Sequence, residues 1–337
     1  MTKAHTPNLD TLKANGIYSP TALILGDRYQ KNDTISGPGW GSINTGVWAD
    51  KHNVQGNQFK EPKFDKYPHF FHFVKQAQPQ AKTVSIINWT PIAKYIVSSA
   101  DVSLDTAKGT SYAEADDDAL AAALKELSEK EGPTAMMLYF GEVDEAGHAH
   151  GFHPAVPQYI AAIEHVDTLV GEVVNAIEKR TDEQWLIVVT SDHGGAGKGH
   201  GGGHKNPDIL HSFLMVSGEG AEKGKFDSQV YIVDAVPTLL TYLGVDIDDA
   251  WELDGHPVGL KKLRENPYVL LVAAAIVGHV VTYAVVWFTS SLVGPLLNVH
   301  GPDPPAWIEP TLQVFIYLLL VMVPLSFLLG MTSVFLL

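Results

Sequence analysis

Apolar and polar positions alternate in short blocks over the first 260 residues and change character after them. Runs rich in β-branched and aromatic side chains, bounded by glycine or polar turns, predict buried strands at 17–25, 83–88, 134–140, 186–189 and 213–217. Between these runs the period lengthens. Ile160, Ile163, Val166, Val170, Val173 and Ile177 recur at helical spacing and predict a helix with one face on a sheet. An alanine and leucine face predicts another helix over 117–130, and 234–243 predicts a short one stopped by Gly244. Thr6 is the expected cap of a helix that opens at Pro7 and ends at Gly16. Strands alternating with helices predict an α/β domain with a mostly parallel central sheet covered on both faces, a three-layer sandwich.

Beyond residue 264 there is no lysine or arginine, and the pattern loses its periodicity. Val269–Trp287 and Leu312–Leu337 carry no formal charge, and each is long enough to cross a bilayer. Neither run has an amphipathic face, which argues against a buried core helix. The chain therefore divides into a soluble domain, 1–260, and a C-terminal two-helix transmembrane hairpin, 261–337, with spans at about 268–290 and 312–337. Trp287 and Trp307 are placed to anchor it at the interface. Lys261, Lys262 and Arg264 precede the first span and the connecting loop has no positive residue, which puts the domain on the cytoplasmic side or its organellar equivalent. The lipid bilayer is thus an expected partner, with other membrane subunits as further candidates.

Composition narrows the chemistry. The 337 residues include no cysteine, so disulfides, thiolate metal sites and a cysteine nucleophile are excluded. A net charge of -15 disfavours nucleic acid, whose phosphates call for clustered lysine and arginine. The opening MTKAHTPNLD has no apolar core of signal-peptide length.

Asp192 and His193 follow the strand at 186–189, and a glycine-rich run then returns His200 and His204 to the same region. Ligands of open α/β sheets bind beyond the carboxyl ends of strands, and carboxylates with imidazoles suit zinc or manganese. Asp144 and His148 repeat that placement after the strand at 134–140, while His150 and His153 are expected at the surface or behind the ligands. A helix starting near Pro38 would put Ser36 at its positive end, where a metal-activated hydroxyl could act as a nucleophile; a plain Ser-Gly turn explains the same residues.

Taken together, TPNLDTLKANG, SGPGWGSINTGVWADKH, VDEAGHAHG, TSDHGG and VDAVPTLLTYLG, in this order across residues 6–256, resemble the alkaline phosphatase superfamily, in particular its nucleotide pyrophosphatase/phosphodiesterase and sulfatase-like branches. The resemblance implies two divalent metal ions, zinc or manganese. Asp144, His148 and His200 would hold one, with His204 as the other candidate for His200's place; Asp192 and His193 would hold the second. Ser36 aligns with the nucleophile.

Two departures accompany the resemblance. Family members carry, before the first helix, an apolar strand ending in a metal-binding Asp, and this sequence has neither in its first five residues. Either the start is truncated, or the site is impaired and another polypeptide covers the gap. Trp40 stands where sulfatases carry arginine, and Gly39 where phosphodiesterase relatives carry asparagine. The expected function is a membrane-anchored, two-metal phosphohydrolase of phosphate mono- or diesters. The competing expectation is a catalytically impaired domain serving as a structural or accessory subunit of a membrane complex.

Overall fold

The computed structural model describes residues 3–261 apart from 27 and 29–31. Helices α1 (Pro7–Asn15), α2 (Ser36–Thr45), α3 (Ala49–His52), α4 (Phe70–Ala77), α5 (Tyr112–Ser128), α6 (Glu142–His150), α7 (Pro157–Glu178), α8 (Pro207–Leu210) and α9 (Ala235–Tyr242) interleave with strands. The strands are β1 (Ile17–Leu23), β2 (Thr83–Ile87), β3 (Val102–Asp105), β4 (Ala135–Leu138), β5 (Leu186–Thr190), β6 (His211–Gly218) and β7 (Gly224–Lys225).

β2 is buried at every position because it is covered on both faces and flanked in parallel by β3 and β4. α5 lays Ala119 and Ala123 on Val84 and Ile86, and Val173 of α7 joins that cluster. One turn away, Val170 and Val174 of α7 pack with Leu9 and Leu12 of α1 against Met215 of β6. The opposite layer comes from α4 and α9, whose Phe70, Phe71, Val236 and Leu240 pack with Ile87 and Met137. The three-layer α/β sandwich is therefore present.

The sheet has three parallel ladders among the five described, and β6 is its departure from the expected mostly parallel pairing. The sheet is mixed and lies in two pieces, ordered β5-β6-β1-β7 and β3-β2-β4. β6 runs antiparallel to both β5 and β1. The cause is the connection after β5: residues 191–210 hold a glycine-rich loop and the one-turn α8, with no crossover helix to bring the next strand back parallel. Among the described residues β4 and β5 are unpaired edges of the two pieces. A cavity of about 350 Å³ opens between their starts, lined by Pro133, Ala135, Trp185, Leu186, Leu239 and Tyr242.

The first helix carries another correction. Thr6 makes no capping bond, and its hydroxyl is buried without a partner. Asp167 of α7, 1% exposed, accepts instead from the Asn8 and Leu9 amides at 3.2 and 2.7 Å and from the Asn8 side chain at 2.9 Å. No helix among the described residues is long and apolar enough to cross a membrane. The spans predicted at 268–290 and 312–337 lie outside those residues.

Candidate active site

The ends of β4 and β5 deliver the chemistry. β4 gives way to α6, which presents Asp144 and His148 one turn apart, the spacing that sets two side chains on one helix face. β5 ends at Thr190, and the next residues place Asp192 and His193, both 7% exposed, under the start of α2. α2 begins at Ser36 itself, not at Pro38, so the hydroxyl lies in the first turn beside the positive helix end. Gly39 permits this approach: a Cβ there would lie 2.7 Å from the Asp192 Cβ and 2.9 Å from its carbonyl oxygen. The Gly37 amide is held by the Asn57 side chain at 2.7 Å.

Three imidazoles share one arrangement. His193 Nδ1 lies 3.0 Å from the Gly194 carbonyl, His200 Nδ1 2.8 Å from Thr34 O, and His148 Nδ1 3.1 Å from Lys198 O. A carbonyl only accepts, so each Nδ1 carries a proton, and in a neutral ring Nε2 then presents a lone pair. These lone pairs converge. His148 Nε2 and His200 Nε2 are 3.0 Å apart. Asp144 Oδ2 is 3.5 Å from His148 Nε2, and Oδ1 is 3.7 Å from His200 Nε2. Asp192 Oδ2 is 3.2 Å from His193 Nε2, which in turn is 3.4 Å from Ser36 Oγ. The His193 and His200 rings stack with centroids 3.5 Å apart.

The electrostatics agree with a site built for cations. Asp144 Oδ1 and Asp192 Oδ2 are buried without a hydrogen-bond donor. Burial, reinforced by the Asp144 charge, pushes the Asp192 carboxyl well above the usual range. Burial lowers His193, and burial with the neighbouring His193 lowers His200, so both rings are held neutral. Among the described residues no lysine or arginine pairs with Asp144 or Asp192. A donor set of neutral imidazoles, each oriented by a backbone carbonyl, around unpartnered carboxylates fits a divalent metal.

Ser36, Asp144, His148, Asp192, His193 and His200 are thus brought together. Asp144, His193 and His200 offer ligand atoms all within 4.8 Å of one another. His204 instead donates to the Asn32 carbonyl at 2.7 Å and stands outside the cluster. His150 and His153 are exposed. Sequence reading missed the supports. The Thr34 hydroxyl bonds the His200 carbonyl and accepts from Gly203 N at 2.8 Å. Phe152 packs edge-on to His148 and His200. Tyr139, at the end of β4, is buried against Trp40. Tyr139 could have been flagged by its place at a strand end; Thr34 and Phe152 carry no local signal.

A sequence profile described as type I phosphodiesterase / nucleotide pyrophosphatase matches residues 1–199. Among curated proteins, 208 residues are 29% identical to a 2,3-bisphosphoglycerate-independent phosphoglycerate mutase of Haloarcula marismortui, covering 60% of this chain and 36% of that protein. A 70-residue stretch is 36% identical to a pyrophosphatase/phosphodiesterase of Schizosaccharomyces pombe, covering 20% of this chain and 14% of that protein. The chain thus spans only about a third, or less, of the length of these relatives. Among solved structures, murine ectonucleotide pyrophosphatase / phosphodiesterase 5 superposes with a TM-score of 0.54 at 15% identity, covering 72% of this chain and 91% of that one. A putative sulfatase from Bacteroides thetaiotaomicron gives 0.55 at 13% identity, covering 77% and 70%. At these identities the likeness establishes the fold alone.

Proposed function

Because the chain belongs to the type I phosphodiesterase / nucleotide pyrophosphatase family of the alkaline phosphatase superfamily, we propose that the Ser36 cluster is a two-metal phosphoesterase centre acting on a phosphate mono- or diester. The observation that carries this reading is the clustering of three imidazoles and two carboxylates next to a helix start whose Ser36 Oγ lies 3.4 Å from His193 Nε2. Asp144, His148 and His200 would hold one divalent ion, zinc or manganese, and Asp192 with His193 the other, His193 and His200 standing close enough to be shared. Bound there, the metals supply Lewis-acid chemistry, lowering the Ser36 hydroxyl pKa and stabilising charge on the phosphoryl oxygens.

The remaining steps belong to the chain. Ser36 Oγ, beside His193 and Asp192, forms the new bond to phosphorus as the ester oxygen departs. The start of α2 favours the negative charge on Oγ through its dipole. Water then hydrolyses the phosphoserine. The murine relative's inactive form is known in complex with AMP, which supports a phosphate ester as the substrate class. The proposal extends to a membrane-anchored enzyme, with the domain of residues 1–260 on the cytoplasmic face and a hairpin after it.

A second reading, an impaired domain serving as an accessory subunit of a membrane complex, is favoured by the break between β4 and β5 and by the single carboxylate on the Asp192 side. Metal content and hydrolysis of p-nitrophenyl phosphate and bis-p-nitrophenyl phosphate separate the two. Two bound metals, with turnover reduced at least 1,000-fold, on the order expected for loss of a nucleophile, in Ser36→Ala, support the enzyme. A chain without metal and without turnover sinks it. In the same preparations, recovery of the protein in the soluble fraction after carbonate extraction would refute anchoring.

A further inference from the structure

We propose that Asp116 is a positioning residue for the candidate metal centre: it fixes the start of α6, and through it the placement of Asp144 and His148. The inference rests on the reading that these two residues face a cation. Asp116 is completely buried, yet it pairs with no lysine or arginine among the described residues. Its Oδ1 accepts from the Gly141 amide at 2.8 Å and from the Asn88 side chain, and its Oδ2 accepts from the Glu142 amide at 3.1 Å. Both oxygens are therefore spent on the first amides of α6, across 25 residues of sequence.

α6 has no cap of its own. Gly141 precedes it and makes no side-chain bond. Of the three acids in its first turn, Glu142 is engaged on His165 at 2.5 Å, Asp144 points toward His148 and His200, and Glu145 is exposed and makes no cap. A side chain at position 141 is excluded, since its Cβ would lie 2.5 Å from the Tyr112 ring and 2.8 Å from Asn88 Oδ1. Asp116 and Asn88 thus replace the local cap with a contact that ties α6 to α5 and to the end of β2. An N-terminus held at consecutive amides fixes both the axial position and the rotation of a helix. Asp144 lies three residues on and His148 seven, so a rotation of α6 would move both donors off the point where they meet His200.

The test is calorimetric titration of the full chain with Mn²⁺, alongside thermal unfolding without metal. Asp116→Asn keeps the shape but turns an amide NH₂ toward one of the two N–H groups. We expect Mn²⁺ dissociation constants raised about 10-fold, the scale seen when groups behind metal ligands are lost. A lower unfolding midpoint with a dissociation constant within about twofold of wild type would make Asp116 a structural cap and overturn the inference. Asn88→Ala, which removes the side-chain donor bracing Asp116 while leaving the Gly141 and Glu142 amides in place, covers the case in which Asp116→Asn does not fold. Weaker Mn²⁺ binding in it supports the proposal, and unchanged binding refutes it. A wild type that takes up no Mn²⁺ fails the functional reading instead, so the two failures are distinguishable.

Discussion

At His148, His193 and His200 one nitrogen is committed to a backbone carbonyl and the other turned into the cluster, so each ring is aimed before any cation arrives. His52, beneath α2, is used differently. It is fully buried, accepts from the Val54 amide at Nδ1 (3.1 Å) and bonds Ser42 Oγ through Nε2 (3.0 Å). Burial lowers its pKa to about 3. Below about 6.5 the unfolded chain takes a proton that folded His52 refuses, so its stabilising contribution is complete above that pH and is lost as pH falls toward 3. Urea unfolding between pH 7 and 4 should therefore show a slope shallower in His52→Gln than in wild type, by at most about 1.4 kcal/mol per pH unit. Equal slopes would refute this. The chemical residues were legible in the sequence because they follow strand ends at recognisable spacing. His52 lay inside a quoted motif, but its solitary burial depends on Gly41 and Phe64 packing around it, which no local pattern encodes.

Among the elements, buried acids that cap helices other than their own recur. Asp167 does for α1 what Asp116 does for α6. Truncating Asp167 to alanine leaves the Asn8 and Leu9 amides without their acceptor, and the expected loss is about 2 kcal/mol by urea unfolding. A loss below about 0.5 kcal/mol would mean that water replaces the carboxylate. Such caps explain one limit of sequence reading: TPNLD has every local mark of a helix start, and Thr6 was the natural cap, yet the acceptor lies 158 residues away. Helix periods and strand runs were readable because burial of one face repeats locally. The 4-residue strand β3 has only partly buried or exposed positions, so it left no such trace. The mixed pairing of β6 also escaped, since strand direction depends on whether the preceding connection contains a crossover helix.

For the molecule as a whole, the α/β class and its covering layers followed from the alternation of elements, whereas the break in the sheet left no local pattern. That break couples the fold to the site. Asp144 and His148 follow β4, at the edge of one sheet piece, whereas Asp192, His193 and His200 follow β5, at the edge of the other. No ladder of hydrogen bonds joins these edges among the described residues. A cation held by both groups would therefore act as a clasp, and its binding energy would enter the cohesion of the domain; at a free concentration 100 times the dissociation constant this is about 2.7 kcal/mol. Chelation should then raise amide exchange along 135–138 and 186–190 while leaving the β1–β6 ladder protected. Uniform exchange with and without metal would refute the clasp. A cofactor whose ligands straddle a seam is lost together with the seam, so mild loosening of the sheet, by heat or by low pH, would demetallate this protein before it unfolds.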